Sequence, residues 1–280
     1  MQIDSYVSER RRNRKKRQGY FWGIVIFLVV YFICLGAFLF FVRLPAFQAE
    51  KITVTGNSTV PTADIMNLLH AVMLRKGAAL NEPNDGWNAL LGFKNMLIWP
   101  AALPTSTLTV IPQLAGVTIK KDYFLHTITV TVTERHAFGV WCIVPAADSQ
   151  AEEQCFWFDG QGTAFQKTID TQGNAIFVIH DYAPGTVSLG EKVLPDEFMP
   201  NLISILNALT QSGLNIQAIA LDDLSLEQLD VTTVNGPVIY FSLRFPASED
   251  LGELKNIIAK PGFNKLQYID FTVENRAYYK

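Results

Sequence analysis

Few residues in this chain have types and spacing suited to chemistry. His180-Asp181 sets an imidazole beside a carboxylate, the pairing that general acid–base work uses. Two polar residues closing a strand account for it as simply. Asp222-Asp223 are adjacent, so on a strand they face opposite ways and do not share a site. His126 and His136 bracket one strand-like stretch and have no Cys or carboxylate at metal-ligand spacing. No Gly-x-Ser-x-Gly, His-Glu-x-x-His or phosphate-loop pattern is present. Asn57-Ser58-Thr59 fits a glycosylation sequon, but a tight strand-to-helix turn explains the same residues. Cys142 and Cys155 flank a hairpin-like stretch with an acidic loop (Asp148, Glu152, Glu153). In an oxidising compartment they could pair; the alternative is two unpaired core thiols. This inventory leads to no catalytic residues, no metal, no cofactor and no small-molecule substrate.

The elements around these residues begin with Tyr20–Val42, 23 consecutive residues without a charge. As a helix this run is about 34 Å long, enough to cross a bilayer core of about 30 Å. The third cysteine, Cys34, lies inside it. Residues 1–17 carry seven cations and two anions; in a chain of net charge −3 they hold +5 and leave −8 for the rest. Basic flanks stay in the cytoplasm, so the N-terminus is expected inside and the remainder outside. The basic tail suits anionic lipid at the membrane surface rather than nucleic acid. The run is longer than a signal-peptide core and ends Phe-Phe-Val-Arg-Leu-Pro without a small-x-small site, which points to an uncleaved anchor.

Beyond the anchor, Lys51–Thr55 alternates as a half-buried strand. Ile65, Leu68, Leu69, Val72 and Met73 make one apolar stripe of a helix ending near Gly77. A second helix is expected from about Asp85, carrying Trp87, Leu90, Leu91, Leu97 and Ile98, and residues 99–113 read as an irregular connection. Val117–Lys120 and Thr127–Thr133 are strands, with Ile128, Val130 and Val132 on one face. After Arg135 strands dominate: Gly139–Val144, Cys155–Phe158, Thr163–Phe165, Ile176–Ile179, Ile216–Leu221, Leu229–Val234 and Val238–Leu243, the last two joined by the hairpin signal Asn235-Gly236. Helices are expected over 196–210 and 248–259. The chain closes on a strand from Leu266 to Val273, extended to Tyr279. Its Tyr268, Thr272, Glu274, Arg276 and Tyr278 face away from the core, and aromatic and Arg residues carry most interface energy. The fold class is α+β.

This order of parts resembles the bacterial divisome family FtsQ/DivIB along nearly the whole chain. The matching residues are Ile52–Asn57 with Val60 and Ile65, then Val130-Thr131-Val132-Thr133-Glu134-Arg135, similar to the family's V-x-E-R-x-P. Further matches are Val140-Trp141, the Asp159–Gly162 turn, Asn235-Gly236 and Tyr268-Ile269-Asp270. Ala137 replaces the usual Pro, and Thr272 stands where Arg is common. The resemblance implies a cytoplasmic tail (1–19), a transmembrane anchor (20–42), a β-α-α-β-β POTRA domain (47–136) and an antiparallel β domain (137–280). It implies a non-catalytic, single-pass plasma-membrane scaffold of cell division at the septum. Its partners would be FtsB/DivIC-like and FtsL-like coiled-coil subunits, bound through Tyr268, Phe271, Arg276 and Tyr278. Two other classes compete: a membrane-anchored extracellular enzyme acting on cell wall, and a POTRA-bearing envelope-assembly or secretion component.

Overall fold

The computed structural model describes residues 3–73, 91–145, 152–169, 176–183 and 185–280. They form an α+β protein with one apolar N-terminal helix, a three-stranded sheet and a large, mostly antiparallel sheet. The chain divides into two compact units. One comprises residues 1–55, 62–101 and 118–130; the other comprises 56–61, 102–117 and 131–280.

In the first unit, helix α1 (Ile3–Val42) includes a 22-residue apolar segment, Phe21–Val42, exposed along most of its length and buried at Val42, its last residue. It is long and apolar enough to cross a membrane. Helix ends leave carbonyls without intrahelical partners. Here the Asn95 side-chain amide, fully buried, donates to the Val42 carbonyl at 2.9 Å. Strand β1 (Lys51–Thr55) follows. Helix α2 (Thr62–Met73) buries Ile65, Leu68, Leu69 and Met73, one face at helical spacing. Most of the second helix expected from Asp85, Trp87 and Leu90 included, lies outside the described residues. Leu97 and Ile98, expected on its face, sit instead in a 3₁₀ turn, Met96–Ile98, capped by the Asn95 carboxamide oxygen. Trp99 is buried and its indole donates to the Phe93 carbonyl, while Phe93 stacks on His70 with ring centroids 3.6 Å apart.

The connection read as irregular contains a one-turn helix, α3 (Thr105–Leu108), and strand β2 (Leu114–Asp122) starts three residues before the expected Val117. Strand β3 (Thr127–Glu134) buries Ile128, Val130 and Val132, as its alternation requires. The sheet order is β1-β3-β2.

At the end of β3, Glu134 closes the turn that follows β1. Its carboxylate accepts from the Ser58 amide (2.8 Å) and hydroxyl (2.7 Å), the Thr59 amide (3.0 Å) and the Val60 amide (2.9 Å). The sequon residues are thus turn donors. Gly56 enters this turn at φ +86°, where a Cβ would run into the Val132 carbonyl. Desolvation raises the Glu134 pKa, but hydrogen bonds from the Ser58 hydroxyl and the Val60, Ser58 and Thr59 amides outweigh it. They hold the value at about 2 against an ordinary 4.5. A carboxyl with a depressed folded pKa stabilises above its unfolded value and loses that contribution as pH falls through the folded one. We expect Glu134→Gln to cost about 0.5–1.5 kcal/mol at neutral pH, solvent screening reducing the effect at this exposed turn. The gap between wild type and variant should close as pH falls from 4.5 towards 2. Denaturant titrations across that window check this; a constant gap would refute it.

The second unit is built on strands β4 (Gly139–Ile143), β5 (Gln154–Phe158), β6 (Ala164–Thr168), β7 (Val178–Asp181), β8 (Ile216–Leu221), β9 (Gln228–Thr233), β10 (Val238–Ser242), β11 (Tyr268–Phe271) and β12 (Tyr278–Tyr279). Their order is β12-β11-β10-β9-β8-β7-β4-β5-β6. Three neighbouring pairs are parallel: β4/β7, β7/β8 and β10/β11. Parallel neighbours need a crossover. Helix α4 (Met199–Ser212) supplies it between β7 and β8, and helix α5 (Leu251–Ile258) between β10 and β11. Both helices cover the same face. Leu202, Ile205, Leu206, Leu209, Leu254 and Ile257 join Trp141, Phe156, Phe158, Ile179, Ile219, Val231, Phe241 and Phe271 in one core. The Asn235-Gly236 hairpin forms, but with a wider loop than a two-residue turn: Thr232 pairs with Val238, and Thr233 Oγ1 donates to the Pro237 carbonyl. A Cβ on Gly236 would lie 2.6 Å from that hydroxyl oxygen.

Candidate functional site

On the sheet face opposite α4 and α5, register lines up one residue from every strand; Cys142 and Cys155 are buried there, and the row is open from His180 to Tyr278. The row runs Thr168, Cys155, Cys142, His180, Ala220, Asp230, Tyr240, Asp270, Tyr278. Side chains one apart on a strand point to opposite faces. That rule separates His180 from Asp181. His180 stands in the open row, 3.8 Å from the Glu153 carboxylate, whereas Asp181 turns inward and is buried. The two therefore do not form an acid–base pair.

Asp181 accepts from the Trp141 indole at 3.1 Å and the Ala183 amide at 3.0 Å. Burial pushes its pKa up against these two bonds. It lines a shallow groove with Val187, Lys192, Leu194 and Leu221. Lys192 donates from there to the Gln161 carbonyl at 2.6 Å and pairs with Asp196 at 3.0 Å. The three titratable groups lining the groove, Asp181, Lys192 and Asp196, all hold protein partners. Asp223, the second member of the carboxylate pair, caps a 3₁₀ turn by accepting from the Ser225 amide, which lowers its pKa.

Cys142 and Cys155 stand directly opposite one another on β4 and β5, Cα atoms 4.0 Å apart, and are joined by a disulfide. In the chain-entropy model a loop of this size contributes about 3 kcal/mol. With Glu153 they make a metal-like cluster, but sulfurs in a disulfide offer no thiolate. The bridge is buried with Val140 on the face opposite α4 and α5, packed by Trp157 and Val178.

The C-terminal segment departs from one continuous strand. After β11 the chain turns at Val273–Arg276, where the Arg276 amide donates to the Val273 carbonyl and Asn275 takes φ +57°. Asn tolerates that left-handed conformation, which is the sequence signal for a reversal here. Tyr278–Tyr279 then returns antiparallel along β11. Tyr268–Phe271 is therefore an interior strand, between β10 and β12, and the sheet edge is β12. Of the four residues assigned to partner contact, Phe271 does not belong to a surface. It is 1% exposed and stacks on Phe241 with centroids 5.5 Å apart, because it shares the inward face with Ile269. Tyr268 is half-buried on the open face beside Tyr240, centroids 6.3 Å apart. Arg276 is exposed and reaches the Tyr278 hydroxyl at 3.3 Å; Tyr278 is 46% exposed. Tyr279, not singled out by sequence, accepts from the Lys260 ammonium at 2.9 Å, with that cation 4.7 Å from its ring centroid. Thr272 donates through amide and hydroxyl to the Asp270 carboxylate.

The candidate site is thus the β12 edge and the open row beside it: Asp230, Tyr240, Tyr268, Asp270, Arg276, Tyr278 and Tyr279. Desolvation raises the Asp230 pKa, the Gln228 side chain lowers it, and the Asp222 charge adds a smaller upward push. Exposed aromatic rings, half-buried acids and an unpaired strand edge suit a polypeptide partner. No protein-family model matches the chain, and no curated protein sequence matches it.

Proposed function

We propose that this protein is a membrane-tethered, non-catalytic scaffold of the FtsQ/DivIB type. In this reading its N-terminus is cytoplasmic, its folded units lie outside the plasma membrane, and its C-terminal sheet edge receives a strand from a divisome partner. The POTRA assignment of the first strands and helix belongs to the same reading. The observation that carries it is the two-residue edge strand β12, with Tyr278 and Tyr279 half exposed at the end of a nine-stranded sheet. A sheet edge binds an added strand through main-chain hydrogen bonds, and flanking aromatic and Arg side chains supply selectivity. The apolar helix Phe21–Val42 supports the tether.

Depletion in the native cell, with a fluorescent fusion, tests the division role. Filamentation and a midcell band are expected; a uniform membrane signal with normal division would refute it. For the edge, the chain lacking residues 278–280 should lose co-purification of a small coiled-coil membrane partner, and Tyr278→Ala should weaken it about tenfold or more. Unchanged recovery with both variants would remove β12 as the docking edge.

A further inference from the structure

We infer that the tip of the β2–β3 hairpin, Tyr123-Phe124-Leu125, is a lipid-docking element that enters the headgroup–acyl boundary of the bilayer crossed by α1. The inference rests on α1 being a membrane span.

The tip is apolar and outward-facing. Phe124 is 96% exposed, Leu125 69% and Tyr123 40%. A turn that must only join two strands has no need of three consecutive large apolar side chains, and contiguous exposed apolar surface marks an interaction site. The turn is also held in shape. The Asp122 carboxylate accepts from the Phe124 and Leu125 amides, each at 2.9 Å, and His126 completes the reversal at φ +49°.

Its position identifies the occupant. The Tyr123 ring meets Phe47 edge-on at 6.2 Å, and Phe47 meets Phe41 at 5.3 Å. Phe41 lies in the last turn of α1, so an aromatic chain links the tip to the point where the apolar helix ends. Hydrogen bonds fix the same level. Asn95 holds the Val42 carbonyl, the Ala49 amide donates to Lys94, and the Glu50 amide donates to the His126 carbonyl at the hairpin base. Exposed Arg43, Lys51 and Lys94 stand on these segments, with Glu50 the exposed acid among them. Tyr rings and cations near a span's end are the side chains that settle at the headgroup level. An interfacial apolar tip sinks about 5–10 Å below it.

The test uses the full-length chain reconstituted in vesicles of mixed anionic and zwitterionic phosphatidyl lipids. One sample carries an environment-sensitive thiol label on Cys34. Two others carry it at Phe124→Cys or Leu125→Cys in a Cys34→Ser background; Cys142 and Cys155 are held in their disulfide. Nitroxide lipids labelled shallow or deep, and aqueous iodide, serve as quenchers. At positions 124 and 125 we expect loss of emission to the shallow nitroxide to exceed loss to the deep one, with little loss to iodide. The Cys34 label should show the opposite nitroxide order. If Cys34 is quenched by the deep nitroxide while both tip labels are quenched by iodide alone, the tip stands in water or against protein, and the proposal is overturned with the span intact. If Cys34 escapes both lipid quenchers, the span itself fails and the proposal falls with it.

Discussion

Arg135→Ala is expected to destabilise the second unit by about 3–5 kcal/mol, because it strands a buried charge. The Arg135 guanidinium pairs with the Asp159 carboxylate, the two side chains being only 15% and 10% exposed. Its Nε donates to the Pro112 carbonyl at 3.0 Å, and its amide donates to the Gln113 carbonyl at 2.7 Å. One residue thus joins three stretches that are distant in sequence. The other Asp159 oxygen accepts from the Gln161 and Thr163 amides, each at 2.9 Å, so the carboxylate cannot swing out to water without undoing its turn. Asp159→Asn keeps an oxygen for those amides and removes the charge. The double variant Arg135→Ala/Asp159→Asn should therefore be less damaged than the sum of the singles, with a coupling of about 0.5–3 kcal/mol. Denaturant unfolding of the detergent-solubilised chain, followed by tryptophan emission, measures all four corners. A loss below about 1 kcal/mol for Arg135→Ala would place the pair among ordinary surface contacts.

Phe271→Ala is expected to cost about 3–5 kcal/mol, the range for emptying a buried aromatic site. The ring lies nearly parallel to Phe241, at 13°, inside the layer between sheet and helices. The contrasting variant is Tyr278→Ala, seven residues on. Its side chain stands half exposed on the open face, so stability should stay within about 0.5 kcal/mol of wild type. The pair separates core from contact surface along one short segment. Thermal unfolding checks it: Phe271→Ala should lower Tm by roughly 6–20 °C, at about 2–4 °C per kcal/mol for a unit of this size, and Tyr278→Ala by little. Equal shifts would mean that β12 is as integral to the core as β11, and would remove it as a free edge.

Where period and punctuation were local, the elements could be read from the chain. Thr127–Thr133 alternates, and β3 lies there; Phe198 to Leu209 recurs at helical spacing, and α4 lies there. The candidate site was only half legible. Tyr268, Arg276 and Tyr278 could be picked out as aromatic and cationic residues near the end of the chain. Alternation already set Phe271 with Ile269 and Val273 on a core-facing side, yet residue type still drew it into the partner set. The reversal at Asn275 turned an apparent edge strand into an interior one, and a single Asn is a weak signal against an unbroken β-like pattern.

By itself the sequence determined an uncharged run long enough to span a bilayer, the basic flank before it, the α+β class and the absence of familiar catalytic patterns. These depend on composition and on spacings of a few residues. The tertiary structure alone decided that Glu134 reaches back to Ser58–Val60, that Arg135 meets Asp159 and Pro112, and that nine strands align one row of side chains. It also decided that Tyr123 meets Phe47 at the foot of the apolar helix. Each of those is a pairing between residues tens of positions apart. Such pairings are selected by crossover, register and burial of the whole sheet, and no local window of the sequence contains them.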